Sequence, residues 1–269
     1  MRCLVRPGHR KSGWLGDLPA EILTVDLTDI PSLRSSLAGI EYLFHIAGRT
    51  KARTGAQFLH DNVTVTRALL RAASSVSGLR KFCHVSSLAA VGPSPDGLPV
   101  TEQTPPSPIT AYGFSKWESE KACHAFSHEL PIVIIRPPAV YGPRDSDILE
   151  MFRWIRRGIA PIMGPREKTL SLLHVHDLAR GLLTAALDER TTGETYFITD
   201  GMRHSYEELI AIVSRLLNTT PRFLQIPSPF VYAAACVSEC VSWFGSSPPV
   251  LNLDKVRDLL AAHWTCSSE

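Results

Sequence analysis

Tyrosine and lysine stand four residues apart in Tyr112-Gly-Phe-Ser-Lys116. On a helix that spacing places both side chains on one face. A free phenol titrates near about 10 and is a poor acid or base at neutral pH. A fixed ammonium beside it favours the phenolate and lowers that value. A phenol tuned in this way exchanges a proton with a carbonyl or an alcohol. The spacing alone is weak, because a solvent-facing Tyr and Lys fall four apart in many helices.

A second feature sharpens it. In Val85-Ser86-Ser87-Leu88 an apolar run gives way to a loop. A hydroxyl there is placed to hydrogen-bond a substrate oxygen and turn it towards Tyr112. A serine bonding its own backbone in a turn is the plainer alternative. A strand-end serine, a connector and then a helical Tyr-Lys pair is more specific than either part.

The elements that must position these groups follow an alternating order. Apolar runs at 2–5, 22–25, 41–48, 81–85 and 131–135 read as strands, and 31–38, 62–74 and 111–129 as helices. IVII and FCHV are apolar throughout, which suits strands covered on both faces of a parallel sheet. In such a sheet ligands bind beyond the carboxyl ends of the strands, where Arg6, Asp26, Gly48 and Ser87 all fall. The Pro-rich stretch PSPDG…TPPSP is a connector. Further on, 149–157 reads as a helix, GIAPIMGP as a loop, and 170–189 as a turn feeding a helix with Asp177 as its N-cap. Ser205 and Glu208 predict a capping box for a helix over 206–217.

The chain has 269 residues, with 44% hydrophobic and 20% charged content and a net charge of +2. These values suit one large α/β domain or a main domain with a smaller lobe, and imply no nucleic-acid partner. Its six cysteines form no CxxC pair and no zinc spacing, so no metal site is expected and a reducing cytoplasmic setting is. Cys236 and Cys240 read as small packing residues. The stretch 230–244, FVYAAACVSECVSWF, is too short to span a bilayer and carries Glu239. It reads as a largely buried helix, with membrane-surface contact as the alternative.

In this order, the motifs resemble those of the extended short-chain dehydrogenase/reductases, the NAD-dependent epimerase/dehydratase family, over essentially the whole chain. TVDLTD (24–29), FHIAG (44–48), DNVTVTRALLRAA (61–73), HVSSLAAVG (84–92), AYGFSK (111–116), RPPAVYGPRD (136–145) and LLHVHDLARG (172–181) carry the likeness. It implies a Rossmann-like, doubly wound parallel sheet and a Ser87-Tyr112-Lys116 catalytic set. Lys116 would hold the nicotinamide ribose and depress the Tyr112 pKa. It further implies cofactor contacts from Asp26, Leu27, Ile46, Ala47, Gly48, Asn62 and Pro138, together with Tyr112 and Lys116. Tyr141 and Arg144 would lie on the substrate side. Residues 1–145 and 170–200 would form the NAD(P)-binding part, and 146–169 with 201–269 a small substrate lobe.

The reaction implied is hydride exchange between nicotinamide and a carbonyl or secondary alcohol of a small molecule. The wording leans towards the dihydroflavonol-reductase and hydroxysteroid-dehydrogenase branch, with sugar-nucleotide epimerisation as an alternative. Arg6 stands where an acidic residue would bond the ribose diol, with Arg10 and Lys11 close by, so NADP is expected ahead of NAD. A homodimer is expected by analogy only.

The family opens with a strand, a Gly-rich turn and a helix. Here Gly8…Gly13…Gly16 has the wrong spacing and Pro19 closes it, so residues 2–5 match the family's second strand. A sheet lacking its first strand and helix is therefore expected, and weak dinucleotide binding by these 269 residues alone. Three readings compete: a fragment or miscalled start of an ordinary enzyme, a non-catalytic binding or regulatory module, and an enzyme completed by another chain. The intact Ser, Tyr and Lys favour the first.

Overall fold

A computed structural model of the chain describes residues 1–8, 15–243, 249 and 251–267. Arg10, Lys11, Gly13 and Phe244 lie outside the described residues. The first half alternates as the sequence predicts: β1 (Arg2–Val5), β2 (Glu21–Thr24), α1 (Ile30–Ser36), β3 (Tyr42–His45), α2 (Gly55–Phe58), α3 (Val65–Ala73), β4 (Lys81–Val85), α4 (Ala111–Ala125), β5 (Ile132–Arg136) and β6 (Ala139–Tyr141). Then come α5 (Asp147–Arg156), β7 (Ile159–Met163), β8 (Thr169–Leu170), β9 (Leu172–His174), α6 (Val175–Leu187), β10 (Thr195–Phe197) and β11 (His204–Ser205). The chain continues through α7 (Tyr206–Leu216), β12 (Arg222–Ile226), α8 (Ser228–Trp243), α9 (Leu253–Leu260) and β13 (His263–Trp264).

Four parallel strands in the order β10-β5-β4-β3 make the main sheet. Their side chains alternate between two apolar layers. Phe82, Ile132 and Ile134 join Leu33, Leu69, Leu70 and Cys123 beneath α1, α3 and α4. Cys83, Val85, Val133 and Ile135 join Leu182 and Ala185 of α6 on the other face. Both faces are covered, which is why these strands read as unbroken apolar runs. The fold is α/β with a Rossmann-type parallel sheet.

β1 and β2 form a separate parallel pair, and no ladder joins β1 to β3 among the described residues. Leu4 and Leu23 nonetheless pack on the same core as Leu43. The parallel sheet is thus interrupted between β1 and β3, while their carboxyl ends open on the same side: Arg6 and Arg49 both reach Asp61.

Several expectations are corrected. GIAPIMGP is a strand, β7, paired in parallel with β12, because Ala160 and Ile162 alternate into the core. Asp177 is not an N-cap; His174 takes that position and Asp177 lies in the first turn of α6. The helix expected over 62–74 starts at Gly55 and runs through a π-helical stretch, Leu59–Thr64, which holds Asn62. The helix at 230–244 is not largely buried; among the described side chains of α8 only Val231 and Ala235 are below a tenth exposed. Cys236 and Cys240 are exposed for the same reason and do not serve as packing residues. The capping box at Ser205 and Glu208 forms as predicted. No helix among the described residues is long and apolar enough to cross a membrane.

Candidate active site

Ser87, Tyr112 and Lys116 come together where β4 and α4 meet. Ser87 leaves β4 in extended conformation and caps a short 3-10 turn, accepting from Ala89 N at 3.1 Å. Thr110 caps α4 by accepting from Gly113 N at 3.0 Å, so Tyr112 stands in its first turn. Gly113 sets how closely the two elements approach. A Cβ there would lie 2.2 Å from the Ala89 carbonyl oxygen, so glycine is required. Gly92 plays the matching part at φ 100°, where a Cβ would sit 2.4 Å from Ser107 O. This brings the Ser87 hydroxyl to the Tyr112 phenol, whose pKa it lowers. Gly113→Ala is expected to cost about 1–3 kcal/mol through overpacking. It should also separate Ser87 from Tyr112, so that melting temperature and kcat both fall; an unchanged kcat would refute this account of the contact.

Burial holds the Tyr112 phenol above its ordinary pKa; the Ser87 hydroxyl works against that and the Asp258 carboxylate adds to it. This corrects the expectation that Lys116 depresses it. The Lys116 ammonium turns instead to the Val85 carbonyl, donating at 2.5 Å. It is itself buried, and burial pulls it down to about 8 against the pull of Glu120.

A polar layer lies beneath. Arg136 donates to both oxygens of Glu120, from Nε at 3.0 Å and Nη2 at 2.7 Å, and Ser86 donates to the same carboxylate. His84 and His45 pair across β4 and β3, their rings 5.1 Å apart. Ser119 gives its proton to Lys116 O and Thr66 gives its own to Asn62 O. Each histidine therefore donates from Nε2, at 2.9 and 2.7 Å, leaving both Nδ1 atoms as buried bare acceptors. Burial, then the Lys116 charge, drives His45 down to about 3 and His84 well below the usual value. Both are neutral, so neither places a positive charge near Lys116.

The remaining predicted residues divide into two groups. Ile46, Ala47 and Gly48 form an exposed ledge beyond β3. A Cβ on Gly48 would stand 3.3 Å from Asn62 Oδ1 and 3.8 Å from Lys116 Nζ. Asn62 is buried and fully engaged: its Oδ1 accepts from Arg49 N at 2.6 Å, and its Nδ2 donates to Arg49 O at 3.1 Å and Ser115 Oγ at 2.8 Å. It pins the ledge to α4. Asp26, at the end of β2, is exposed and accepts from Thr28 N and Oγ1, which hold its carboxyl below the usual value. Leu27 beside it is half-buried. Arg6 approaches Asp61 at 3.7 Å and Arg49 donates to the same carboxylate. Arg49 was not singled out by its sequence context; its place directly after Gly48 was the available signal.

Ser87, Tyr112 and Pro138 line a cleft of about 400 Å³. Its far wall comes from later in the chain: Met163, Lys168, Leu170, Asp258, Leu259 and Trp264. α9 reaches across to α4, where Asp254 accepts from Ala111 N at 2.8 Å. Lys168 donates to Leu259 O, and burial pulls it down to about 8, opposed by Asp258. Burial pushes the Asp258 carboxyl up. Sequence motifs gave no signal for Lys168, Asp254 or Asp258. Tyr141 packs edge-on against His174, ring centres 5.2 Å apart, and neither it nor Arg144 is among the described residues lining the cleft.

The Rossmann-type sheet is that of the short-chain dehydrogenase type of enzyme, and the relatives agree. The chain belongs to the NAD dependent epimerase/dehydratase family, whose model matches residues 4–199. It is 30% identical over 270 aligned positions to the ceramide reductase of Caulobacter vibrioides (strain NA1000 / CB15N), covering 99% of this chain and 78% of that one. Among solved structures, gox2253 superposes with a TM-score of 0.78 at 28% identity, over 99% of this chain and 82% of that chain. The UDP-glucuronic acid 4-epimerase from Bacillus cereus, solved in complex with NAD, gives a TM-score of 0.68 at 26% identity, over 80% and 72% of the two chains. Reductases and sugar-nucleotide epimerases both stand among the relatives, and solved relatives bind NAD.

Proposed function

We propose that the protein is an NAD(P)-dependent ketoreductase or alcohol dehydrogenase acting on a carbonyl or secondary alcohol held against Ser87 and Tyr112. The observation that carries this is the placing of Ser87 and Tyr112 together in the wall of a cleft of about 400 Å³, with Lys116 one turn further along α4. Residues 1–145 and 170–200 hold the cofactor, and 146–169 with 201–269 close over the substrate. The residues present fit a dinucleotide: Gly48 leaves room beside Lys116 Nζ, and Asp26, Arg6 and Arg49 stand at strand ends around it. When bound, the nicotinamide supplies or takes up the hydride.

Tyr112 gives its phenolic proton to the substrate oxygen. Its raised pKa keeps that proton in place at neutral pH, which favours the direction of reduction. Ser87 donates to the same oxygen and fixes its distance from Tyr112. Lys116, which donates to the Val85 carbonyl here, would hold the ribose and carry a positive charge one helical turn from the phenol.

The cleft points to a substrate with an apolar body. Phe58, Leu88, Met163, Leu170, Leu259 and Trp264 line it, its charged side chains come in both signs, and no arginine is among its described lining residues. A nucleotide diphosphate calls for bidentate guanidinium contacts. The likeness to a ceramide reductase supports the same reading. The test is NADPH oxidation with long-chain ketones against UDP-sugars as substrates. Turnover confined to UDP-sugars would overturn it.

NADP is preferred over NAD in this reading, because Arg6 and Arg49, beyond the ends of β1 and β3, converge on the Asp61 carboxylate. Arg6 and Arg49 would hold a 2′-phosphate there in place of Asp61. Replacing both arginines by Ala is expected to weaken NADPH binding roughly tenfold to a hundredfold while leaving NADH nearly unchanged. Calorimetric titration of both cofactors checks this, and equal losses for the two would count against it.

A further inference from the structure

The outer face of α8 is inverted. Its polar side chains point inward: Glu239 accepts from Leu253 N at 2.9 Å and Ser238 from Leu251 N at 3.4 Å. Its apolar side chains point out. Phe230 is 68% exposed, Val237 63%, Val241 65% and Tyr232 41%. The other exposed positions on the helix are proline, alanine and cysteine, and none carries a charge. Positions 230, 237 and 241 fall on one stripe of a 3.6-residue helix. The stripe continues through Pro227 into β12, where Phe223 and Leu224 are each 51% exposed. Contiguous apolar surface of this kind marks an interaction site.

Basic residues border it. β12 begins at Arg222, whose N donates to Gly158 O at 2.9 Å, directly after Arg156 and Arg157. Arg215 lies in the last turn of α7, which packs on α5. All four arginines are exposed, and among the described residues none of them pairs with a carboxylate. Trp154 stands beside them, its ring 5.6 Å from the Arg157 guanidinium.

We propose that α8, β12 and this arginine cluster form a docking surface for an anionic membrane. An apolar helix face flanked by Arg and an aromatic ring is the arrangement that lies in a bilayer interface, apolar side down and cations at the headgroups. A second copy of this chain would use the apolar face but leave the four arginines without partners. An anionic bilayer engages both. The surface also abuts the cleft: α8 packs on α9 through Val231, Ala235 and Val256, with Met163 of the cleft wall against the same cluster. Docking needs no particular substrate, so it stands apart from the reading of the chemistry.

Co-sedimentation with vesicles tests it. Vesicles containing phosphatidylglycerol are expected to bring the protein down, and pure phosphatidylcholine far less. Reversing Arg156 or Arg222 to Glu should weaken binding at least roughly fivefold, in a salt-dependent way. Val237→Asp should abolish it. These positions are exposed, so circular dichroism and melting temperature should match the parent, and turnover of a water-soluble ketone should persist. Failure to sediment with either vesicle overturns the proposal. So does a solution dimer that Val237→Asp dissociates without any vesicle binding.

Discussion

Tyr112→Phe is expected to lower kcat by roughly 10²–10⁴-fold, the span a positioned acid supplies. The change removes one oxygen and leaves the ring packed against Phe58, ring centres 6.0 Å apart. Cofactor affinity should therefore change little, and a measured collapse of dinucleotide binding would show that the phenol acts in some other way. The pH profile gives an independent reading. Burial keeps the phenol protonated above its ordinary pKa, so Tyr112 itself imposes no loss near neutrality. Lys116, drawn down to about 8, loses its charge as pH rises through that value. Reduction is thus expected to fall on the alkaline side above about pH 8. On stability the same shift acts with opposite sign. Between about 8 and the ordinary lysine value of 10.5 the unfolded chain binds the proton and the folded one does not, so this group's contribution to stability rises with pH.

Glu120→Ala should be the most damaging change to the fold. Glu120 is 1% exposed and Arg136 5%, and the two make a bidentate pair that joins α4 to β5. Removing the carboxylate leaves a buried guanidinium without its counter-charge, at a cost of about 3–5 kcal/mol. Ser86 loses its acceptor as well. Lys116 also loses the carboxylate that raises its pKa, so the alkaline limb should move to lower pH in whatever folded fraction remains. Chemical denaturation measures the first effect and the rate–pH profile the second. The double variant Glu120→Ala/Arg136→Met should recover much of the stability, since an apolar replacement of a buried pair is often neutral. A double variant no more stable than Glu120→Ala would show that the pair is not the source of the loss.

Much of the main sheet was legible because parallel strands covered on both faces leave an unbroken apolar record, as in FCHV and IVII. Ser87, Tyr112 and Lys116 were legible for a related reason: each is fixed by its offset from a strand end or along one helix. Arg49 was missed because its meaning depends on Asp61, twelve residues away and brought close by a π-helical turn. β7 was misread as a loop because two prolines and two glycines sit in or beside it, and its ladder partner β12 lies some sixty residues further along the chain. α8 was misread because its composition is that of a buried helix, and composition does not say which face meets solvent.

The sequence by itself determined the alternation of strands and helices, the apolar core strands and the spacing that sets Tyr112 and Lys116 on one face of α4, since all of these are local periodicities. Tertiary structure decided the rest. Gly113 lets α4 approach Ala89 closely enough to bring Tyr112 to Ser87, and burial then moves the phenol up and the ammonium down. α9 closes the cleft over them from more than a hundred residues away. Distances between groups remote in sequence, and the solvent they exclude, are set by packing alone.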